Sequence, residues 1–391
     1  MSADDLLNHP VFSQAVADLR CLGLEVSANS RGRTSEYVVV GGRSNSRWWL
    51  VPIENPRVAA ASLALFQPTL PSARLLAQLG RLGARLGLAR LWPGTRVYVS
   101  GDCSLHRTLP SRPQAIAIFT GTNSPHRKTT LQIMDARGRP QAFAKITRDA
   151  RVRGVVAHEA STLAWLRTLS LHSANVPSVI THSEFPDVSV LVTDTTKTVR
   201  SRTVVEFGPQ HNAFVHELRM KTRCADRSIH STVQALADRT ARLAARISPR
   251  WRERMDVAAT NLLRLSGRLG AGGMVHGDFT PWNTYLEQGH LSVFDWEYAE
   301  TGYPSTFDVL HFAACTERGE GPVVASRLRH RLLHLAMADS ASTADLHLQF
   351  YAFAQALRRC ERADTGHMPV ATWDGERIHA AILDAVAEAS L

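Results

Sequence analysis

The chain is 391 residues long, above the ~250–300 at which a single hydrophobic core stops growing, so two or three domains are expected rather than one. With 44% hydrophobic and 20% charged residues it has the composition of a globular protein and excludes collagen-like or disordered classes. Its longest apolar run, Val58 to Phe66, is interrupted by Ser62 and falls far short of the ~20 residues a spanning helix needs. The opening MSADDLLNHP is acidic where a secretory leader is basic, which predicts a cytoplasmic protein. Cys21, Cys103, Cys224, Cys315 and Cys360 are far apart and form no CxxC pair, so neither a disulfide framework nor a zinc site is expected.

The net charge of +10 is unevenly spread. Residues 1–110 carry 12 basic and 7 acidic groups, residues 111–200 carry 12 and 6, and residues 201–391 carry 21 and 22. Only four of the 45 basic residues are lysines: Lys128, Lys145, Lys197 and Lys221. A basic chain suggests nucleic acid, but there is no zinc knuckle, helix-turn-helix signature or basic stripe interleaved with aromatics, and a nucleic-acid partner is not expected.

In chain order, Glu36–Val40 and Arg47–Pro52 read as strands around the turn-rich GGRSNS. A helix is expected over 72–91. Leu75, Leu79, Leu82 and Leu86 form one stripe on it, flanked by Arg81 and Arg85 on one side and by Gly80, Gly83 and Gly87 on the other. The stripe either docks on a neighbouring domain or rests on an anionic membrane surface, as a peripheral contact at the inner face of the membrane; the three glycines favour docking. From residue 115 the pattern becomes a three-stranded meander, AIAIFTGT (115–122), TTLQIM (129–134) and QAFAKIT (141–147). A helix over 154–169 and strands near 178–181 and 189–193 follow, the order of a small nucleotide-holding lobe. After Lys197 the chain reads as helices near 209–222, 230–246, 250–270, 305–316, 322–338, 343–362 and 376–389.

One segment interrupts these helices, MVHGDFTPWNTYLEQGHLSVFDWE at 274–297. Thr284–Glu287 and His290–Phe294 read as strands joined by Gln288 and Gly289, and so tight a hairpin returns Asp295 to the neighbourhood of Asn283. Two hard oxygen ligands suited to Mg²⁺ would then meet. Asp278 lies in an irregular loop fixed by Pro281, where a carboxylate can take a proton from a bound hydroxyl.

This segment resembles the catalytic core of the aminoglycoside phosphotransferase and choline kinase-like group of the protein kinase-like superfamily. The signature is a His-Gly-Asp, a Pro-x-Asn and, after a hairpin, an Asp-Trp-Glu, present here as HGDFTPWN and FDWE. The resemblance implies an α+β, two-lobed protein kinase-like fold and an ATP- and Mg²⁺-dependent transfer of phosphate to a hydroxyl of a small molecule. It implies that Asp278 is the catalytic base, that Asn283 and Asp295 bind the metal, and that His276 braces the catalytic loop. Asp308, in PSTFDVLHF, matches the aspartate that ties this loop to the next helix. Lys145 in AFAKIT, with Glu159 fourteen residues later, matches the lysine that grips phosphates and its partner glutamate. In GTNSPHRK, Gly121, Thr122, Asn123 and Ser124 are candidates to offer backbone N–H groups to phosphates, although a single glycine stands where protein kinases have three, and an ordinary hairpin turn would look the same. Neither a DFG nor an APE is present, which counts against protein substrates.

The expected organisation is an α/β extension of unassigned role at 1–110, an N-lobe at 111–196 and a helical C-lobe at 197–391. The acceptor is expected to be a sugar, a glycolipid or polysaccharide precursor, or an aminoglycoside-like compound. The alternative is a catalytically silent scaffold that recruits a membrane or polysaccharide-making complex. Oligomeric state is not legible.

Overall fold

The computed structural model describes all residues except Arg31, 43–45, 64–70, 110–112, Asn123, Val199, 224–227, 366–375 and 390–391. The chain divides into two compact units, and the first takes in Met1–Ser170, Asn175–Thr203 and Tyr285–Glu297.

Two short helices, α1 (Ala3–Leu7) and α2 (Pro10–Arg20), lead into β1 (Leu24–Ser27), β2 (Thr34–Gly42) and β3 (Arg47–Pro52). Then come α3 (Pro56–Ser62), α4 (Pro71–Arg85), a 3₁₀ turn at Leu88–Leu91 and β4 (Thr95–Gly101). The meander is β5 (Ala115–Phe119), β6 (Thr129–Met134) and β7 (Pro140–Thr147); α5 (Ala150–Thr168), a two-residue strand β8 (Ala174–Asn175), β9 (Val179–Phe185) and β10 (Val188–Asp194) follow. Helix α5 starts four residues before the expected 154, because Asp149 caps it by accepting the Arg151 N–H at 2.9 Å.

All of these strands except β8 form one nine-stranded antiparallel sheet in the order β1-β4-β2-β3-β5-β6-β7-β10-β9. The break expected near residue 110 is therefore not a break between compact units. Strand β3 pairs with β5 through Trp49↔Phe119 and Leu50↔Ile118. The buried Tyr37 hydroxyl donates to the Ile116 carbonyl at 2.8 Å, and Thr129 Oγ1 donates to Asp18 at 2.7 Å. One core runs from Phe12, Leu19 and Val97 through Leu50 and Ile118 to Leu131, Ile146 and Val192. The extension mixes helices with strands that are all antiparallel, rather than forming the expected α/β domain, and its strands continue the sheet that carries the meander.

Helix α4 departs from the docking expectation. It packs on α3, where Ala84 joins Ala59, Ala60 and Leu63 in a cluster that also takes in Val38, Val51 and Ile53 of the sheet side, while Leu75, Leu79, Leu82 and Leu86 are exposed. Gly87, at φ 81°, ends the helix before Leu91.

The second unit comprises Leu171–Ala174, Val204–Thr284 and Tyr298–Leu391, so the change expected at residue 197 comes at 204. Its helices are α6 (Pro209–Thr222), α7 (Ile229–Leu243), α8 (Pro249–Leu265), α9 (Thr306–Ala314), α10 (Gly321–His334), α11 (Ala341–Thr365) and α12 (Glu376–Ala389). Two short strands, β11 (Gly273–Val275) and β14 (Glu300–Tyr303), pair antiparallel within it. The core is helical, with Val233, Met255, Leu328, Phe350, Phe353 and Leu357 all fully buried. The hairpin β12 (Thr284–Glu287) and β13 (His290–Val293) has the expected boundaries to within one residue. Gln288 and Gly289, at φ 52° and 84°, supply the two left-handed residues of a tight right-twisted turn.

Candidate active site

In the first unit the site begins with strand alternation. Ala142, Ala144 and Ile146 of β7 are buried in the sheet core, so Lys145 faces the opposite side, opposite Leu191 of β10. Leu191 packs on Val156 and Ala160, which brings α5 over this face and presents Glu159 to Lys145. Lys145 Nζ donates to both Glu159 oxygens at 2.6 Å and to Asp295 Oδ1 at 2.5 Å. Asp295 follows β13 with φ 69°, a left-handed conformation that a non-glycine residue adopts at some cost in strain. Glu297, two residues on, forms an ion pair with Lys128, and both side chains are 9% exposed.

Burial works against the Lys145 charge, but Asp295, Glu159 and Glu297 outweigh it and hold its pKa above the ordinary lysine value. Burial raises Glu159, with Asp295 and Glu297 adding to the rise and Lys145 opposing it. One oxygen from each of Glu159, Asp295 and Glu297 lies within 4.8 Å of the others, a set of hard donors that fits a divalent cation. Three carboxylates face two ammonium groups here, leaving an excess of negative charge that a cation would offset.

Gly121 opens the loop before β6 at φ 84°, and a Cβ there would lie 2.3 Å from the Lys128 carbonyl oxygen. The loop therefore needs glycine at this point. Thr122 and Ser124 beyond it are exposed, and Ser124 closes a turn by accepting the Arg127 N–H at 3.1 Å; Asn123 is outside the described residues. Lys128, at the end of this loop, is committed to Glu297.

The second unit carries the loop between β11 and the hairpin. Asp308, buried on α9, accepts the His276 N–H at 2.7 Å and the Gly277 N–H at 3.0 Å. Gly277 stands at φ 80°, and a Cβ would lie 1.9 Å from the Tyr298 carbonyl oxygen. Glycine is thus required twice over. Arg358 of α11 donates to the Gly277 carbonyl oxygen. His276 is fully buried and its Nδ1 accepts the Asp278 N–H at 3.2 Å. Phe279 anchors the loop among Phe214, His211 and Phe312.

Asp278 is held at both oxygens. Asn283 Nδ2 donates to Oδ2 at 2.8 Å and to the Asp278 backbone carbonyl at 2.9 Å. His311 Nε2 lies 3.0 Å from Oδ1. The other ring nitrogen of His311 is 3.2 Å from the Tyr351 hydroxyl and 3.0 Å from the Gln355 amide. Burial would lower the His311 pKa, but Cys315, Tyr351 and the hydrogen bond to Asp278 hold it well above the usual histidine value. A protonated His311 beside Asp278 keeps that carboxylate ionised and fixed in direction.

The sequence reading did not single out His311, Glu297 or Arg358. His311 had a signal: it falls three residues after Asp308, one turn along α9, and so shares the face that Asp308 turns toward the loop. Arg358 had none, because its contact comes from a helix 81 residues away.

The model of the phosphotransferase enzyme family matches residues 123–346, more than half of the chain and the stretch that carries Lys145, Asp278 and Asp295. The chain belongs to that family. It is accordingly a small-molecule phosphotransferase with the α+β, protein kinase-like fold that the motifs imply. Similar solved structures include the GDP complex of wild-type aminoglycoside 2'-phosphotransferase-IIIa, 11% identical over 73% of this chain and 97% of that one, with a TM-score of 0.46. A choline/ethanolamine kinase family protein from Mesorhizobium loti is 12% identical over 67% and 84%, with a TM-score of 0.42. Aminoglycoside phosphotransferase APH(3'')-Id from Streptomyces rimosus, in complex with ADP and streptomycin, is 15% identical over 66% and 90%, with a TM-score of 0.36. No curated protein matches the chain in sequence.

Proposed function

We propose that this enzyme transfers the γ-phosphoryl group of ATP to a hydroxyl of a small molecule, with Mg²⁺ as the accompanying ion. The observation that carries the reading is Asp278, a carboxylate fixed at one oxygen by His311 and at the other by Asn283. We assign this fixed carboxylate to meet the acceptor hydroxyl. It orients that hydroxyl and takes its proton as the bond to phosphorus forms, while His311 holds the negative charge in place.

Lys145 is the group that meets the nucleotide phosphates, with Glu159 keeping its ammonium in position. Asp295 and the side-chain oxygen of Asn283 are the proposed metal ligands, and the donor set around Asp295 suits a hard dication. The ion, when bound, neutralises the charge that develops on the transferring phosphoryl group. Gly121, Thr122, Asn123 and Ser124 are proposed to offer backbone N–H groups to the phosphates. His276 is proposed to act through the loop and not on substrate, since its ring is fully buried.

The acceptor we propose is a polyhydroxylated compound such as a sugar, a glycolipid precursor or an aminoglycoside-like molecule. The test is ADP release measured against a panel of such alcohols, with and without Mg²⁺. Stimulation of Mg²⁺-dependent ADP release by one class of alcohol is expected. Absence of any thermal stabilisation by millimolar Mg–ATP would overturn the reading.

A further inference from the structure

Among the described residues no helix is long and apolar enough to cross a membrane, yet α4 turns its apolar side outward. Leu75, Leu79, Leu82 and Leu86 are 58, 57, 55 and 68% exposed, and Leu76 beside them is 70% exposed. The row continues past the helix end through Leu88 and Leu91, which are 45 and 78% exposed. At ~100° per residue the four stripe leucines fall within one narrow sector, and the buried Ala77 and Ala84 lie on the opposite side. The helix is thus inverted with respect to an ordinary surface helix: its small side faces α3 and its large residues meet solvent. A contiguous apolar patch of this kind marks an interaction surface.

Charge and composition indicate what covers it. From Asn55 to Gly101 there are six arginines, Arg57, Arg74, Arg81, Arg85, Arg90 and Arg96, and no carboxylate. Arg85 and Arg90 are exposed beside the leucine row, and Arg81 reaches back to donate to the Leu63 carbonyl oxygen at 3.1 Å. The exposed row itself is leucine alone. Protein interfaces concentrate tyrosine, tryptophan, methionine and arginine at their centres, and leucine is under-represented among the residues that dominate their binding. A uniform aliphatic stripe with exposed arginines beside it instead matches an interfacial helix lying on an anionic bilayer.

We propose that α4 and the turn after it rest on an anionic lipid surface, with the leucines among the acyl chains and Arg85 and Arg90 at the headgroups. One short helix gives reversible attachment, so the enzyme would exchange between surface and solution. This docking does not depend on which hydroxyl the enzyme phosphorylates.

The experiment is co-sedimentation of the full chain with phosphatidylcholine vesicles containing about 30% phosphatidylglycerol, compared with pure phosphatidylcholine vesicles. The protein is expected in the pellet with anionic vesicles and largely in solution with neutral ones, and ~0.5 M salt should weaken the binding by shortening the screening length. Leu79→Gln with Leu82→Gln should reduce the bound fraction at least about tenfold, because two leucines no longer leave water. Both positions are solvent-exposed, so the double variant should fold and release ADP at the parent rate in solution. Arg85→Gln with Arg90→Gln should lose the preference for anionic vesicles and keep a weaker binding to both kinds. Protein that stays in solution with both vesicle types overturns the proposal. So does light scattering that shows a dimer dispersed by the leucine substitutions, since the stripe would then belong to a second copy of the chain.

Discussion

The two clusters, one in each unit, are opposite electrostatic designs. Around Lys145 in the first unit, one ammonium sits among Glu159, Asp295 and Glu297, and only Lys128 offsets the surplus of carboxylates. Around Asp278 in the second unit, one carboxylate sits between the donors His311 and Asn283. The first gathers hard oxygen donors that suit a cation; the second holds one carboxylate between hydrogen-bonding partners. We assign the nucleotide phosphates to the first cluster and proton transfer to the second, whose Asn283 is also a proposed metal ligand, and substitutions can separate the two roles.

The largest effect is expected from Gly277→Ala. The added Cβ must displace the Tyr298 carbonyl or flip a backbone that already stands at φ 80°. Strain of this kind costs roughly 1–3 kcal/mol, and the Asp278 backbone cannot keep its place. Turnover should fall by more than ~10³-fold with a lower melting temperature, while a soluble variant should still be stabilised by Mg–ATP. Wild-type turnover in this variant would show that the loop geometry around Gly277 is irrelevant to the chemistry.

A smaller loss is expected from His311→Gln, which keeps a hydrogen-bonding side chain but no titratable charge. A hydrogen bond to a charged group contributes about 1.5–3 kcal/mol, so turnover should fall roughly ten- to a hundredfold with KM for ATP nearly unchanged. The pH dependence distinguishes charge from shape. The pKa of His311 is raised in the folded chain, so its pairing with Asp278 stabilises fully below the usual histidine value near 6.5 and is lost as pH rises through the higher folded value. The melting-temperature gap between the parent and His311→Gln should therefore be widest in mild acid and close toward alkaline pH. A gap that widens with pH would mean that His311 is neutral in the folded protein.

The next contrast concerns the proposed metal ligands. Asp295→Ala should raise the Mg²⁺ concentration for half-maximal activity more than Asn283→Ala, because a carboxylate attracts a hard dication more strongly than an amide oxygen. Equal midpoints in the two titrations would show that the two ligands were assigned wrongly.

How far the sequence could be read depended on how local each signal was. The last two meander strands, α6, α12 and the β12–β13 hairpin depend on alternation, helix caps and a two-residue turn, and they were legible to within a residue or so, while β5 ends three residues before the expected 122. The first helices and strands β1 and β4 were missed: α1 is five residues long and β1 four, too short for a periodic pattern to register. The stripe on α4 was read correctly and its direction was not, because amphipathicity gives the angular position of the apolar side but not what faces it. The independence of residues 1–110 was overestimated for a related reason. Strand β3 joins β5 by backbone pairing, and pairing partners leave no mark in a single sequence. In the site, the motif residues were legible from HGDFTPWN and FDWE, whereas Arg358 reaches the Gly277 carbonyl only through tertiary packing.

The central claim, that nucleotide binding belongs to the Lys145 cluster and proton transfer to the Asp278 cluster, is tested most directly by crossing two variants with two readouts. Mg–ATP affinity by calorimetry and turnover by ADP release are measured for Lys145→Ala and Asp278→Asn. Lys145→Ala should lose affinity at least about tenfold, whereas Asp278→Asn should bind Mg–ATP within about twofold of the parent and lose ~10²–10⁴-fold in turnover. An Asp278→Asn protein that loses affinity as much as Lys145→Ala does, or that keeps the parent's turnover, would contradict the account.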